Sequence, residues 1–111
     1  METRNLKDSE QNLIKHLIRI SNKEGTFDIP ELVEDLKDGK MGSIRFVSSE
    51  PDRTYSSDLV QVEYIDEDNV PVIITLTIDN HQKFYELEFW KVDFEKLVRY
   101  PRPNEVTVPN S

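Results

Sequence analysis

The chain has no cysteine and no alanine, and it holds only two histidines, His16 and His81. Without cysteine there are no disulfides, thiolate metal sites or thiol nucleophiles, and two histidines exclude a multi-histidine metal centre. No apolar run approaches the roughly 20 residues of a membrane span, and the first residues lack the apolar core of a signal peptide. These absences predict a cytoplasmic chain with no membrane partner, no cofactor and no metal ion.

Basic residues are scarce as well: 14 Lys and Arg stand against 22 Asp and Glu, which gives a formal net charge of −8. Nucleic acids and anionic membranes are bound through Lys and Arg, so this balance argues against both as partners. It permits a basic protein as partner. At 111 residues the chain is long enough for one domain and short for two.

A helix is predicted over about residues 8–22, with Asp8 or Ser9 as its N-terminal cap. Its apolar residues follow a helical spacing, namely Leu13, Ile14, Leu17 and Ile18. Valine and isoleucine are abundant in the rest of the chain, and both favour sheet.

Three strands are predicted where apolar and polar residues alternate, at residues 60–64, 70–78 and 84–92. The short turns between them indicate an antiparallel meander. Residues 26–40 fit either a short helix or a strand. The turn signal Asp38-Gly39 favours a hairpin with a further strand at residues 44–47.

The fold class that follows is α+β: an N-terminal helix packs on a four- or five-stranded antiparallel meander sheet. A short helical turn is predicted over residues 93–99, with Phe94 and Leu97 packed inward. Residues 1–100 form a single domain in this prediction. Residues 101–111 contain three prolines and are expected to form an extended, weakly held tail.

Three acidic residues follow one another at a predicted hairpin tip: Asp66, Glu67 and Asp68. They form either an electronegative surface for a cationic partner or a divalent ion, or a solvated turn that aids solubility. The glycine and the distal glutamate of a calcium-binding loop are missing at the required spacing, so the metal interpretation is weak.

Glu86, Glu88 and Trp90 share one predicted strand face. Two carboxylates about 7 Å apart on a strand can serve acid–base catalysis when one is buried, but no nucleophile or histidine lies nearby in the sequence. A tryptophan among charges is more typical of a protein-binding surface. The simplest alternative is an exposed sheet face.

The segment from Asp38 to Ser43 contains Gly39, Met41 and Gly42, and it lacks the spacing of a phosphate-binding P-loop. It fits a tight hairpin turn with glycine at positive φ, or a small anion-binding nest of backbone amides. His81 close to Asp79 fits a proton shuttle, although a surface position is the simpler interpretation of both histidines.

Two stretches resemble a family of small bacterial domains of unknown function. One is D-G-x-M-G-S at residues 38–43, and the other is E-L-x-x-W-K-x-D-F at residues 86–94, which ends in Asp93 and Phe94. The resemblance spans roughly residues 8–101. It implies that the two elements matter together, and it brings no established activity. In size and charge the chain is also similar to immunity proteins of bacterial toxin systems.

We therefore expect a non-catalytic protein-binding module, most concretely an immunity protein that neutralises a basic toxin domain. The predicted contact residues are Asp66, Glu67, Asp68, Glu86, Glu88 and Trp90. One alternative is a small-ligand-binding or hydrolytic domain that uses Glu86, Glu88 and Asp93. Another is a homodimeric structural protein in which an exposed strand edge pairs with its copy.

Overall fold

The computed structural model describes residues 2–109 of the chain. In chain order its elements are β1 (Arg4–Asn5), α1 (Asp8–Ile20), β2 (Leu32–Asp35), β3 (Ile44–Phe46), β4 (Tyr55–Ile65), β5 (Pro71–Asp79), β6 (Phe84–Lys91) and a 3-10 turn (Pro103–Glu105). The strands form one antiparallel sheet in the order β1-β2-β3-β6-β5-β4. In the described part of the chain no helix is long and apolar enough to cross a membrane.

The predicted α+β class and antiparallel sheet are confirmed, but the sheet has six strands rather than four or five. β1 is the strand that sequence reasoning missed, because two residues are too short for an alternation to show. β4, β5 and β6 form the predicted meander, whereas β3 pairs with β6. The hairpin between β2 and β3 is confirmed, with Val33 opposite Phe46.

α1 packs its apolar stripe onto one face of the sheet. Leu13, Ile14 and Leu17 are completely buried there. The helix begins after Lys7 rather than at a cap on Asp8 or Ser9, because the backbone N–H of Lys7 donates to the carboxylate of Glu10 at 2.8 Å. The helix ends at Ile20, two residues before the predicted limit.

The predicted helical turn over residues 93–99 is wrong, and so is the inward position of Phe94. Phe94 has a positive φ of 64° and its side chain is 70% exposed, whereas Leu97 packs against the core. The backbone N–H groups of Val98 and Arg99 donate to a side-chain carboxylate, that of Asp66, so this segment meets its hydrogen-bonding needs without a helix.

The residues after Tyr100 lie on the domain as far as residue 109, the last one described. Val106 is buried in the core, and Thr107 exchanges two backbone hydrogen bonds with Glu63 on β4, of 2.8 and 2.9 Å. The helical turn of the C-terminal region is a 3-10 turn at Pro103–Glu105. This segment is therefore held more firmly than a polar, proline-containing composition predicts.

Candidate functional site

The acidic hairpin tip is tied into the protein rather than presented to solvent. Asp66 is 2% exposed, and its carboxylate accepts the backbone N–H groups of Val98 at 2.8 Å and Arg99 at 3.1 Å. The ammonium group of Lys91, itself buried, lies 2.9 Å from Asp66 and also binds Asp68. Burial raises the pKa of Asp66, but these hydrogen bonds outweigh it and hold the pKa below its usual range.

Glu67, the middle residue of the tip, is more exposed than Asp66 and Asp68 and also has a cationic partner. Its carboxylate lies 2.8 Å from Nε of Arg99, which binds Glu105 as well. The hydrogen bond from Arg99 lowers the pKa of Glu105 to about 2. The tip is therefore a poorer electronegative surface than the sequence predicts, because Lys91 and Arg99 neutralise much of its charge.

The second predicted set, Glu86, Glu88 and Trp90, lies on the sheet face opposite α1, as the alternation in β6 predicts. Lys91 is buried on the α1 side of the same strand. Since Asp66 binds Lys91, the hairpin tip and the second set lie on different sides of the sheet and do not form one acidic surface. We call the side away from α1 the open face.

The open face is assembled from neighbouring strands by the register of the sheet. Across the ladder, Arg45 lies opposite Glu86, Thr75 opposite Glu88, and Ile73 opposite Trp90. The guanidinium of Arg45 donates to Glu86 from Nε at 2.8 Å, and only 12% of the Glu86 side chain is exposed. Glu86 is thus paired within the protein, which leaves Glu88 and Trp90 as the better candidates for contact with a partner.

Glu88 and Trp90 form the exposed centre of the open face. Partial burial, and then repulsion from Glu86 and Asp58, raises the pKa of Glu88. Trp90 is 51% exposed, and its ring centroid lies 6.4 Å from that of Phe94. An acidic group that shares a strand face with an exposed tryptophan matches a partner side chain that carries a cationic head on an apolar stem.

The two elements of the family resemblance are packed against each other. Ser43 Oγ accepts the backbone N–H of Phe89 at 2.8 Å and donates to its carbonyl at 3.2 Å. The backbone N–H of Lys91 donates to Sδ of Met41 at 3.2 Å. Gly42 has a φ of 112°, and a Cβ at this position would lie 3.4 Å from the Phe89 ring. The glycine-containing loop therefore supports the strand that carries the open face.

The predicted anion nest in this loop is filled by the protein itself. The carboxylate of Asp38 accepts the backbone N–H groups of Met41 at 3.1 Å and Ser43 at 3.0 Å. Gly39 takes a φ of 76° in the turn, as a tight hairpin connection requires. The loop geometry is thus accounted for by Asp38, without an external anion.

Asp93 does not join Glu86 and Glu88. Its carboxylate accepts the backbone N–H of Glu95 at 3.0 Å and fixes the turn after β6. Four surface cavities of about 220–680 Å³ in the described part of the chain are lined by other residues than Glu86, Glu88, Trp90 and Asp93. None of these four cavities therefore places Glu86, Glu88 or Asp93 in a concave site around Trp90.

Sequence reasoning missed a cluster at the opposite end of β6. The side chain of Arg53 is 11% exposed and lies 3.0 Å from Asp79, and it also donates to the backbone carbonyl of Phe84. Asp79 accepts the backbone N–H of His81, whereas the ring Nε2 of His81 lies 2.8 Å from Asp52. The proposed His81–Asp79 shuttle is thus wrong in its partner. Asp52 and His81 lie 29 residues apart, a separation at which the sequence offers no pairing signal.

A comparison with protein-family models gives a match over most of the chain. The family model for a domain of unknown function, DUF6984, matches residues 3–101. No curated protein and no solved structure matches the chain.

Proposed function

The chain belongs to the DUF6984 family of domains of unknown function, and from its structure we propose that it is a protein-binding module that engages a basic partner through the open face. Glu88 and Trp90 are the central contacts. This proposal narrows the six contact residues predicted from the sequence, because Asp66, Glu67, Asp68 and Glu86 already have cationic partners inside the protein.

The observation that carries the proposal is the coincidence of an exposed tryptophan with a carboxylate whose charge the fold disfavours. Trp90 is 51% exposed on a strand whose other face is buried. The pKa of Glu88 is raised by burial and then by Glu86 and Asp58. A cationic partner relieves that repulsion on binding, and tryptophan is among the residues that most often dominate binding energy.

The more specific form of the proposal is an immunity protein that neutralises a bacterial toxin domain. Its support is the net charge of −8 and the small size of the chain, since many toxin domains are nucleases with basic clefts and acidic surfaces speed their capture. A cytoplasmic location and a bacterial source belong to the same proposal.

Dimerisation through a strand edge is the second candidate, and the structure disfavours it. β4 is an edge strand of eleven residues. Thr107 covers it at Glu63, and its register with β5 shifts between Tyr55 and Ser57. Irregularities of this kind protect an edge from pairing with a copy. Light scattering that shows a dimer at high concentration would reverse this ranking.

The test is recovery of the tagged protein from its host at low ionic strength, followed by binding measurements with the identified partner in purified form. We expect a basic protein, and Trp90→Ala and Glu88→Lys should each weaken its affinity by about 30-fold. For the immunity form, co-expression should restore growth to cells that make the partner.

Glu67→Lys is the matched control, because it changes the net charge by the same amount away from the open face. It should alter the affinity by less than about threefold. Recovery of the protein without a partner, or an equal loss in both lysine variants, contradicts binding at the open face. A partner that binds but does not arrest growth contradicts only the immunity form.

A further inference from the structure

Three side chains of types that ligate metals meet at the end of the sheet away from the hairpin tip. They lie between two loops, the one that connects β3 to β4 and the one that connects β5 to β6. The side chains belong to Glu50, Asp52 and His81, and their ligand atoms lie within 4.8 Å of one another. Nε2 of His81 is 2.8 Å from Oδ1 of Asp52 and 3.9 Å from Oε2 of Glu50. We propose that this triad binds a divalent first-row transition-metal ion, of the type of Zn²⁺ or Mn²⁺.

The spacing of the donor atoms agrees with a shared ion. With bonds of about 2.1 Å, neighbouring ligands lie about 3.0 Å apart around an octahedral ion and about 3.4 Å apart around a tetrahedral one. The separation of 2.8 Å between His81 and Asp52 is close to the first value. The donor atoms lie up to 4.8 Å apart, so Glu50 has to move by about 1–2 Å to complete the set. Its side chain is 36% exposed and has room to do so.

The two loops are locked together by Asn80, which positions the ligands in advance. Its backbone N–H donates to the carbonyl of Thr54 at 3.0 Å, and its side-chain oxygen accepts the N–H of Thr54 at 2.9 Å. Its side-chain amide donates to the backbone carbonyl of Asp52 at 3.1 Å. The ion therefore does not have to order these loops when it binds, which lowers the entropic cost of binding.

The donor set decides the class of ion. Mg²⁺ and Ca²⁺ prefer oxygen ligands alone, whereas one imidazole with two carboxylates suits borderline ions such as Zn²⁺, Mn²⁺ and Fe²⁺. Three protein ligands leave coordination positions open. The side chain of Asp52 is 71% exposed, so water can reach the site, and His81 also lines a cavity of about 480 Å³ that can hold a small molecule beside the ion.

The chain has two histidines, so one can be tested as the metal ligand and the other can serve as its control. Zn²⁺ alone is titrated into the metal-free protein by calorimetry, and we expect His81→Gln to weaken its affinity by about 10- to 100-fold. Asp52→Asn should weaken it in the same direction. His16→Gln is the matched control and should leave the affinity unchanged, because His16 lies on α1 and is not part of the triad. The affinity of the protein for Mg²⁺ should be far lower than its affinity for Zn²⁺.

A measurement on the unmodified protein guards against a variant that folds poorly. Substoichiometric Mn²⁺ should broaden the imidazole proton signals of His81 and leave those of His16 sharp in the NMR spectrum. Broadening of both histidines to the same degree, no broadening at all, or equal affinities for Mg²⁺ and Zn²⁺ would overturn the proposal. So would an unchanged Zn²⁺ affinity in His81→Gln, which would show that the triad is only an ion pair with a neighbouring carboxylate.

Discussion

In the described part of the chain, the buried carboxylates of Glu10, Asp66 and Asp79 each lie against a cation, whereas the more exposed Glu88 has only acidic neighbours. Asp66 binds Lys91, and Glu86 binds Arg45. Glu88 instead lies near Glu86 and Asp58, which raise its pKa after the effect of burial. A group that costs stability in the free protein is typical of a site whose charge serves binding.

Replacement of Glu88 by glutamine tests that cost. The pKa of Glu88 is higher in the folded than in the unfolded chain, so its charged form destabilises the fold at pH 7. The penalty vanishes as the pH falls below its usual pKa of 4.5. Glu88→Gln should therefore raise the free energy of unfolding at pH 7 by less than about 1 kcal/mol, since solvent screens an exposed carboxylate.

Urea denaturation at pH 7 and pH 3 measures this difference. At pH 3 the side chain at position 88 is neutral in the unmodified protein and in the Glu88→Gln variant, whether folded or unfolded. The two proteins should therefore have the same free energy of unfolding at that pH. Glu31→Gln, at an exposed position, is the control and should change stability by less than about 0.5 kcal/mol at either pH. A gain of the same size at both pH values, or a loss at pH 7, would show that Glu88 is not under electrostatic strain.

At the scale of elements, the loop of residues 38–43 and strand β6 behave as one unit. Ser43 continues the ladder to Phe89, and Gly42 allows the Phe89 ring to approach the loop backbone. Gly42→Ala should lower the free energy of unfolding by about 2–3 kcal/mol. Alanine is strained at this positive φ, and its Cβ would also lie in tight contact with the Phe89 ring.

Gly25→Ala separates these two causes. Gly25 also has a positive φ, of 79°, but a Cβ there meets nothing within 4 Å. The Gly25→Ala variant should therefore lose about 1 kcal/mol of its free energy of unfolding, from backbone strain alone. Equal losses in the two variants, measured by urea denaturation, would mean that the Phe89 contact contributes nothing.

The sequence predicts α1, β5 and β6 well because their patterns repeat, whereas β4, predicted only over residues 60–64, extends over Tyr55–Ile65. The apolar stripe of α1 and the alternation in β5 and β6 each extend over several residues and indicate the faces they bury. The alternation fails at the start of β6, where the register with β5 shifts and Phe84 is buried. Alternation also places Glu88 and Trp90 on one face correctly. β1 has two residues and offers no such repeat. For this reason the sheet is one strand larger than the upper predicted count.

The rest of the candidate site depends on contacts between residues far apart in the chain. Lys91 looks like one more surface charge in the sequence, yet it is fully buried and binds Asp66 across 25 residues. Composition therefore predicts an acidic tip where the fold makes a neutralised one. His81 and Asp52 meet for the same reason, through a loop whose path no local pattern indicates.

At the scale of the whole molecule, the acidic groups of the hairpin tip, the open face and the triad lie in three regions rather than on one acidic surface. The hairpin tip is largely paired, the open face holds Glu88, and the end away from the tip holds Glu50 and Asp52. High salt should therefore weaken partner binding at the open face while leaving the buried pair of Asp66 and Lys91 largely intact, since screening acts mainly on exposed charges.

The C-terminal segment contributes to the stability of the whole domain, because it covers part of the core with Val106. Val106 is 8% exposed, whereas Val108, two residues later, is 60% exposed. Val106→Ala should lower the free energy of unfolding by about 1–2 kcal/mol, because it removes buried methyl groups and leaves a cavity. Val108→Ala should cost less than about 0.5 kcal/mol.

Removal of everything after Tyr100 should cost more than Val106→Ala, because the two backbone hydrogen bonds between Thr107 and Glu63 are lost as well. Urea denaturation that finds the shortened chain as stable as the full one would show that residues 101–109 only rest on the domain and do not stabilise it.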